Sequence, residues 1–125
     1  MPKLIYLDYA AATPLDDAVF QAMQPFWQDQ FYNPSAPYLP AQNVKKALDQ
    51  ARANVAQSLG ARPPEIIFTA GGTESCNLAI HGIMQQYPDA NVVVSGVEHE
   101  AVLAPAQQYA HQLAPVGPDG ILDIE

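Results

Sequence analysis

Apolar residues recur at helical spacing in one long segment near the middle of the chain. They follow one another at intervals of three and four: Val44, Leu48, Ala51, Val55 and Leu59. This spacing places them on one face of an α-helix. The next residue is Gly60, the residue type that commonly ends a helix. The pattern therefore predicts a helix over about 41–59 with one apolar stripe.

A shorter helical pattern precedes it. Pro14 opens a predicted helix over 16–28, with Asp16 and Asp17 in the first turn, where the helix dipole favours acids. Pro25 is expected to kink or end this helix, because proline cannot donate the backbone hydrogen bond. Residues 31–41 contain three prolines and are predicted to form a loop.

Short apolar runs alternate with helical patterns in the second half of the chain. Strands are predicted at 65–69 (EIIFT), 91–95 (NVVVS) and 113–116 (LAPV), and helices at 73–87 and 99–112. The first two runs are nearly continuous in apolar residues, which is typical of strands covered on both faces. Alternating strands and helices predict a parallel sheet with right-handed crossovers, and hence the α/β class.

Composition narrows the range of functions. The 125 residues carry a formal charge of −8, which disfavours nucleic acid and anionic membranes as partners. A single cysteine, Cys76, excludes an internal disulfide, and no metal site is expected, because His81 and His111 lack paired ligands in their predicted helices. No apolar run reaches the length of a membrane span, so a soluble, cytoplasmic protein is expected.

The stretch FTAGGTES, residues 68–75, combines two glycines with a hydroxyl and an acid. Gly71 and Gly72 stand between a predicted strand and a predicted helix, where unpaired N–H groups and the helix dipole can bind an anion. Thr73 can cap the helix or donate its hydroxyl to a phosphate oxygen, and Glu74 is compatible with either role. An ordinary glycine turn with a capping threonine fits the same residues, so spacing alone leaves both interpretations open.

Longer strings carry a family resemblance. YLDYAAATP (6–14), NPS (33–35), EIIFTAGGTESCNLAIHG (65–82) and VEHEAVL (97–103) occur in the order and at the spacing found in cysteine desulfurases. The chain resembles these class V aminotransferase enzymes, which are pyridoxal-phosphate enzymes of fold type I, over essentially its whole length. The resemblance implies part of a three-layer α/β/α large domain. Residues 61–125 would supply its first strands and helices, and residues 1–60 would form an N-terminal segment with helices.

The resemblance assigns roles to a few residues. Gly72 and Thr73 would bind the phosphate of pyridoxal 5'-phosphate through backbone N–H groups. His99 would be both cofactor-binding and catalytic, because the family's histidine stacks on the pyridine ring and is thought to move protons. Asn33 would lie on the substrate side of the pocket. This chain departs from the family pattern at 36–41, and Asn-Pro is also an ordinary turn starter.

The complete enzyme implied by the resemblance converts L-cysteine to L-alanine and passes the sulfur on as an enzyme persulfide. It would be a homodimer that serves iron–sulfur cluster assembly, with a sulfur-acceptor protein as a further partner. None of Lys3, Lys45 and Lys46 stands where the family's cofactor-bound lysine follows its histidine. The family's sulfur-accepting cysteine also lies later, so Cys76 is expected to be structural, and the fragment alone is expected to be inactive.

Other functions remain open from the sequence. A selenocysteine lyase or another class V aminotransferase-type enzyme would share these strings. A non-catalytic phosphate-binding α/β module would use the glycine turn without the histidine. A fragment that serves only in interaction or assembly, and binds no ligand, would use neither feature.

Overall fold

A computed structural model of the protein describes residues 4–123; Lys3 and the tail residues Ile124 and Glu125 lie outside them. The chain divides into two compact units, Met1–Ile66 and Ile67–Glu125. Unit 1 contains helices α1 (Asp17–Met23), α2 (Pro25–Gln28) and α3 (Leu39–Leu59). Unit 2 contains α4 (Gly72–Gln86), β1 (Val92–Ser95), α5 (Glu100–Ala106) and β2 (His111–Ala114).

The two short helices of unit 1 confirm the role predicted for Pro25. α1 begins after Asp16, whose Oδ1 accepts the N–H of Ala18 at 2.8 Å. It ends at Met23, and α2 begins at Pro25, where a missing N–H is tolerated in a first turn. The proline thus separates two helices instead of interrupting one.

Helix α3 ends at the predicted residue but begins at Leu39, within the stretch predicted as a loop, and the predicted stripe is not its buried face. It ends at Gly60, which adopts the left-handed conformation with φ 66°. Leu48, Val55 and Leu59 are exposed, Leu59 by 70%, whereas Ala41 and Ala56 are buried. Periodicity identifies residues that share a face, but burial requires another element against that face. Within this unit α3 packs on the single turn at Pro63–Glu65.

Unit 2 is built around a pair of parallel strands. β1 and β2 pair with Val92 opposite His111 and Ser95 opposite Ala114. Parallel pairing across a helix confirms the α/β class. Among residues 4–123 the strand predicted at 65–69 is not formed: Glu65 belongs to a 3₁₀ turn, and residues 66–69 join no sheet. That prediction is wrong here because a strand requires a neighbouring strand for its ladder hydrogen bonds.

The last helix is shorter than its apolar pattern predicted. α5 ends at Ala106, directly after the buried Pro105, and not at residue 112. Proline lacks the N–H that the helix needs and crowds the preceding turn, so the helix stops within one residue of it. His111 is therefore the first residue of β2, and its placement in a helix is corrected.

The core of unit 2 is small and lies between the two helices and β1. Met84, Val94 and Ala106 are its buried apolar side chains, together with Pro105. Cys76 and Met84 lie on the inward face of α4, with Cys76 half-buried.

A hydrogen bond ties α4 to the segment after α5. The Nδ1 atom of His81 lies 2.7 Å from the Tyr109 hydroxyl, and the two rings meet edge to face.

Within residues 4–123 no group of three or more His, Cys, Asp or Glu side chains is arranged to hold a metal ion. None of the helices in that range is long and apolar enough to cross a membrane.

Candidate functional site

The glycine turn lies at the start of α4. Gly71 is the N-cap residue, with φ 167°, an extended conformation that any residue adopts, and Gly72 is the first helical residue. A Cβ atom built on either glycine would meet no atom within 4 Å. Neither backbone strain nor packing within this chain therefore requires glycine here, and the bare backbone borders open space.

The N–H groups of this turn are available to a ligand. Ser75 is the first residue of α4 whose N–H is bonded along the helix, to the Gly71 carbonyl at 3.1 Å. The hydrogen bonds of residues 4–123 include none donated by the N–H groups of Gly72 and Thr73. Helix geometry leaves such first-turn donors without partners and concentrates partial positive charge there.

An open depression of about 600 Å³ lies at this helix end, lined by residues 70–74 and Asn77. Its lining contains one acid, Glu74, and no basic side chain. Any attraction for an anion therefore comes from backbone N–H groups and the helix dipole. A phosphate group has the charge and the acceptor oxygens that such donors bind.

Three side chains hold the turn in shape. The Glu74 Oε2 atom accepts the N–H of Ala70 at 2.6 Å. The hydroxyl oxygens of Thr69 and Ser75 lie 2.6 Å apart, and each lies 3.2 Å from the Gly71 carbonyl oxygen, so two hydroxyl protons serve these three contacts.

Sequence reasoning missed this network. The available signal was the spacing of a threonine and a serine on either side of the paired glycines.

Thr73 does not cap α4, contrary to one of the two interpretations of the sequence. Gly71 occupies the N-cap position, and no side chain makes the capping hydrogen bond. The Thr73 carbonyl accepts a hydrogen bond from the side-chain amide of Asn77 at 2.9 Å. Its hydroxyl takes part in no hydrogen bond within the described part of the chain, so it is available to a ligand.

His99 is the N-cap residue of α5. Its Nδ1 atom accepts the N–H of Ala101 at 3.0 Å. An accepting Nδ1 in a neutral imidazole puts the proton on Nε2. The structure thus gives His99 a capping role, and it leaves Nε2–H and the exposed ring free for a second role.

Helices α4 and α5 pack against each other within unit 2. The second half of α4 and the first residues of β1 line a common apolar crevice of about 310 Å³. Among residues 4–123 no hydrogen bond joins His99 to the glycine turn.

Asn33 belongs to the other unit, where it forms a local turn. Its Oδ1 atom accepts the N–H of Ser35 at 2.9 Å, and its carbonyl accepts the N–H of Ala36 at 3.0 Å. These are the contacts of an asparagine that starts a turn. They occupy the side-chain oxygen and leave the side-chain amide as the group that a substrate could contact.

Comparisons with known proteins identify a family that this chain matches. The family described as "Aminotransferase class-V" matches residues 5–123. A cysteine desulfurase IscS of Dictyoglomus turgidum is 44% identical over 107 residues, which cover 84% of this chain and 27% of that protein. A cysteine desulfurase of a Frankia species is 39% identical over 98% of this chain. This chain spans about 30% or less of the length of these two relatives.

Solved structures show the same fold. A structure described as a NifS-like protein superposes with a TM-score of 0.88 at 27% identity and covers 96% of this chain and 35% of that one. A structure described as "SspA in complex with cysteine" superposes with a TM-score of 0.81 at 38% identity and covers 89% of this chain and 34% of that one. Both matches extend over both units of the chain.

Proposed function

The chain belongs to the class V aminotransferase family, and from this premise we propose that it is the amino-terminal portion of a pyridoxal-phosphate-dependent cysteine desulfurase. The observation that carries the proposal is the pair of unbonded N–H groups at Gly72 and Thr73, which border an open depression. The sequence match to relatives named cysteine desulfurase favours this cofactor over an unrelated anion.

The residues of the turn fit the phosphate of pyridoxal 5'-phosphate. The N–H groups of Gly72 and Thr73 would donate to phosphate oxygens, and the Thr73 hydroxyl would add a third donor. The open space beside both glycines supports this assignment, because side chains there would occupy the volume that a phosphate needs. The chemistry that the cofactor supplies when bound is an electron sink for bond cleavage in an amino acid.

His99 would act on the ring side of the same ligand. Its Nδ1 is committed to the cap of α5, so the Nε2–H and the ring faces are the parts that can serve a ligand. A flat ring can lie against an aromatic cofactor, and Nε2 can hold or release a proton beside it. Both roles stay proposals for His99, as does the substrate-side role of Asn33.

The complete enzyme would take L-cysteine, release L-alanine and carry the sulfur as a persulfide. A structural neighbour described in complex with cysteine supports this substrate class. We also propose that the complete enzyme is a homodimer that delivers sulfur to an acceptor protein. In this proposal the residues of this chain bind the cofactor's phosphate, position its ring and contribute Asn33 on the substrate side.

The phosphate site can be tested with ligands that lack the cofactor's aldehyde. Pyridoxamine 5'-phosphate cannot form an imine with Lys45 or Lys46, so its binding reports on the proposed site alone. The chain is expected to bind it more tightly than either unphosphorylated pyridoxamine or glucose 6-phosphate. Isothermal titration and the melting temperature at saturating ligand measure this preference.

Two results would contradict the proposal. Equal affinity for glucose 6-phosphate would favour a general phosphate-binding module. An unchanged melting temperature with every ligand would favour an assembly fragment with no ligand. Replacing His99 with alanine should reduce the preference for the ring-bearing ligand and leave the affinity for glucose 6-phosphate unchanged.

A further inference from the structure

The carboxylate of Glu74 is the one acidic group in the lining of the proposed phosphate site. A negative charge beside a phosphate opposes binding, and a free carboxylate would itself be attracted to the unbonded N–H groups of a helix start. In the structure the Oε2 atom instead accepts the N–H of Ala70 at 2.6 Å. The acid is thus bonded to the residue before the glycines and not to Gly72 or Thr73.

This bond closes residues 70–74 into a ring that contains both glycines. Paired glycines have the largest conformational freedom of any dipeptide, so a turn built from them needs an external constraint to hold one shape. The bond from Ala70 to Glu74 supplies that constraint across the glycines. The hydroxyls of Thr69 and Ser75 add to this constraint through their contacts with the Gly71 carbonyl.

We propose that Glu74 is a positioning residue for the cofactor's phosphate. It acts through the backbone: its carboxylate holds the N–H of Ala70, which keeps the N–H groups of Gly72 and Thr73 free and oriented before a ligand arrives. This inference rests on the proposed function and deepens it, because it names the group that pre-organises the phosphate site.

Two substitutions separate the hydrogen bond from the charge. Glu74→Gln retains an oxygen that can accept from Ala70 and removes the negative charge. Glu74→Ala removes both. Asp89→Ala, in the loop after α4, removes one acid away from the turn and serves as a control for net charge.

The measurement is the affinity for pyridoxamine 5'-phosphate, with amide exchange at Ala70 followed by NMR. Glu74→Gln is expected to bind at least as tightly as the wild type. Glu74→Ala should bind roughly three- to tenfold more weakly than Glu74→Gln, as expected for the loss of one exposed neutral hydrogen bond. The Ala70 N–H should exchange faster in Glu74→Ala than in Glu74→Gln. The affinity for unphosphorylated pyridoxamine should not change.

The outcomes are distinguishable. A wild type that binds the phosphorylated ligand, with Glu74→Ala and Glu74→Gln equal in affinity, overturns the positioning role alone. A lower melting temperature in Glu74→Ala without a change in affinity at low temperature does the same, because it shows a merely structural bond. A wild type that shows no preference for the phosphorylated ligand overturns the proposed function and the positioning role together.

Discussion

The Nδ1 atom of His99 accepts the backbone N–H of Ala101 at 3.0 Å, so one ring nitrogen caps a helix while the other stays free. The residue that the family resemblance assigns to the cofactor is therefore also fixed by the fold. The cap restrains the orientation of the imidazole and selects the tautomer with the proton on Nε2. A structural role and a ligand-binding role can coexist in this side chain because they use different atoms.

Replacement of His99 should separate these two roles. His99→Ala removes the cap and should lower the free energy of unfolding by about 0.5–2 kcal/mol. Asparagine is a good N-cap residue, so His99→Asn should retain most of that stability. Both variants lose the imidazole and should lose preference for pyridoxamine 5'-phosphate over glucose 6-phosphate. Urea unfolding and calorimetric titration measure the two effects, and wild-type ligand preference in His99→Asn would exclude the ring from the site.

Substitution of Gly72 tests whether its lack of a side chain serves a ligand. Gly72→Ala should leave the fold intact or stabilise it by up to about 1 kcal/mol, because alanine favours helix and the added Cβ meets no atom. The affinity for pyridoxamine 5'-phosphate should fall at least about tenfold, because the added methyl group occupies volume that the phosphate needs and displaces it from a charge-assisted hydrogen bond. Binding and melting temperature are compared in the same samples.

Gly82→Ala is the matched control for this experiment. Gly82 lies in the same helix, and a Cβ there also meets no atom within 4 Å. Its substitution should stabilise α4 in the same way and leave ligand affinity unchanged. If both variants lost affinity equally, the effect would belong to the helix as a whole and not to the phosphate site.

The hydrogen bond between His81 and Tyr109 should contribute to the stability of unit 2. Tyr109→Phe keeps the ring contact with the imidazole and removes the hydroxyl that lies 2.7 Å from Nδ1. The free energy of unfolding should fall by about 0.5–1.5 kcal/mol. Tyr87→Phe is the control, because the Tyr87 side chain is exposed and its hydroxyl makes no hydrogen bond within residues 4–123. Equal stability of the two variants in urea unfolding would argue against this contribution.

The ion pair between Arg62 and Glu65 predicts that the stability of their turn depends on pH. The side chain of Arg62 bonds the Glu65 carboxylate at 2.7 Å, the Arg62 N–H bonds it as well, and both lower the pKa of Glu65 below its ordinary value. A lowered folded-state pKa means that this stabilisation is present above the ordinary pKa of a glutamate. It is lost as the pH falls through the lowered value.

Removal of the arginine side chain tests this assignment. Arg62→Ala should raise the pKa of Glu65 toward its ordinary value, although the backbone hydrogen bond remains. Titration of the Glu65 carboxyl carbon by NMR measures the change. A pKa in Arg62→Ala identical to that of the wild type would show that the side-chain bond does not form in solution.

The sequence predicted much of the local structure from short-range physics. Pro25 separates two helices and Gly60 ends α3, because proline and glycine act on the backbone at their own positions. The alternation of helices and strands gave the α/β class. The string around Gly72 and Thr73, together with the histidine at 99, was sufficient to identify the family without coordinates.

Tertiary structure alone decided which patterns became buried or paired. The stripe at Leu48 and Val55 is present in sequence yet exposed, and the apolar run at 65–69 joins no sheet within the described chain. Burial and strand pairing require a second element, which periodicity cannot supply. The tertiary structure also decides the hydrogen bond from the Ala70 N–H to the Glu74 carboxylate. The sequence offers several acceptors near this helix start, and the folded path of the two glycines brings the Glu74 carboxylate to the Ala70 N–H.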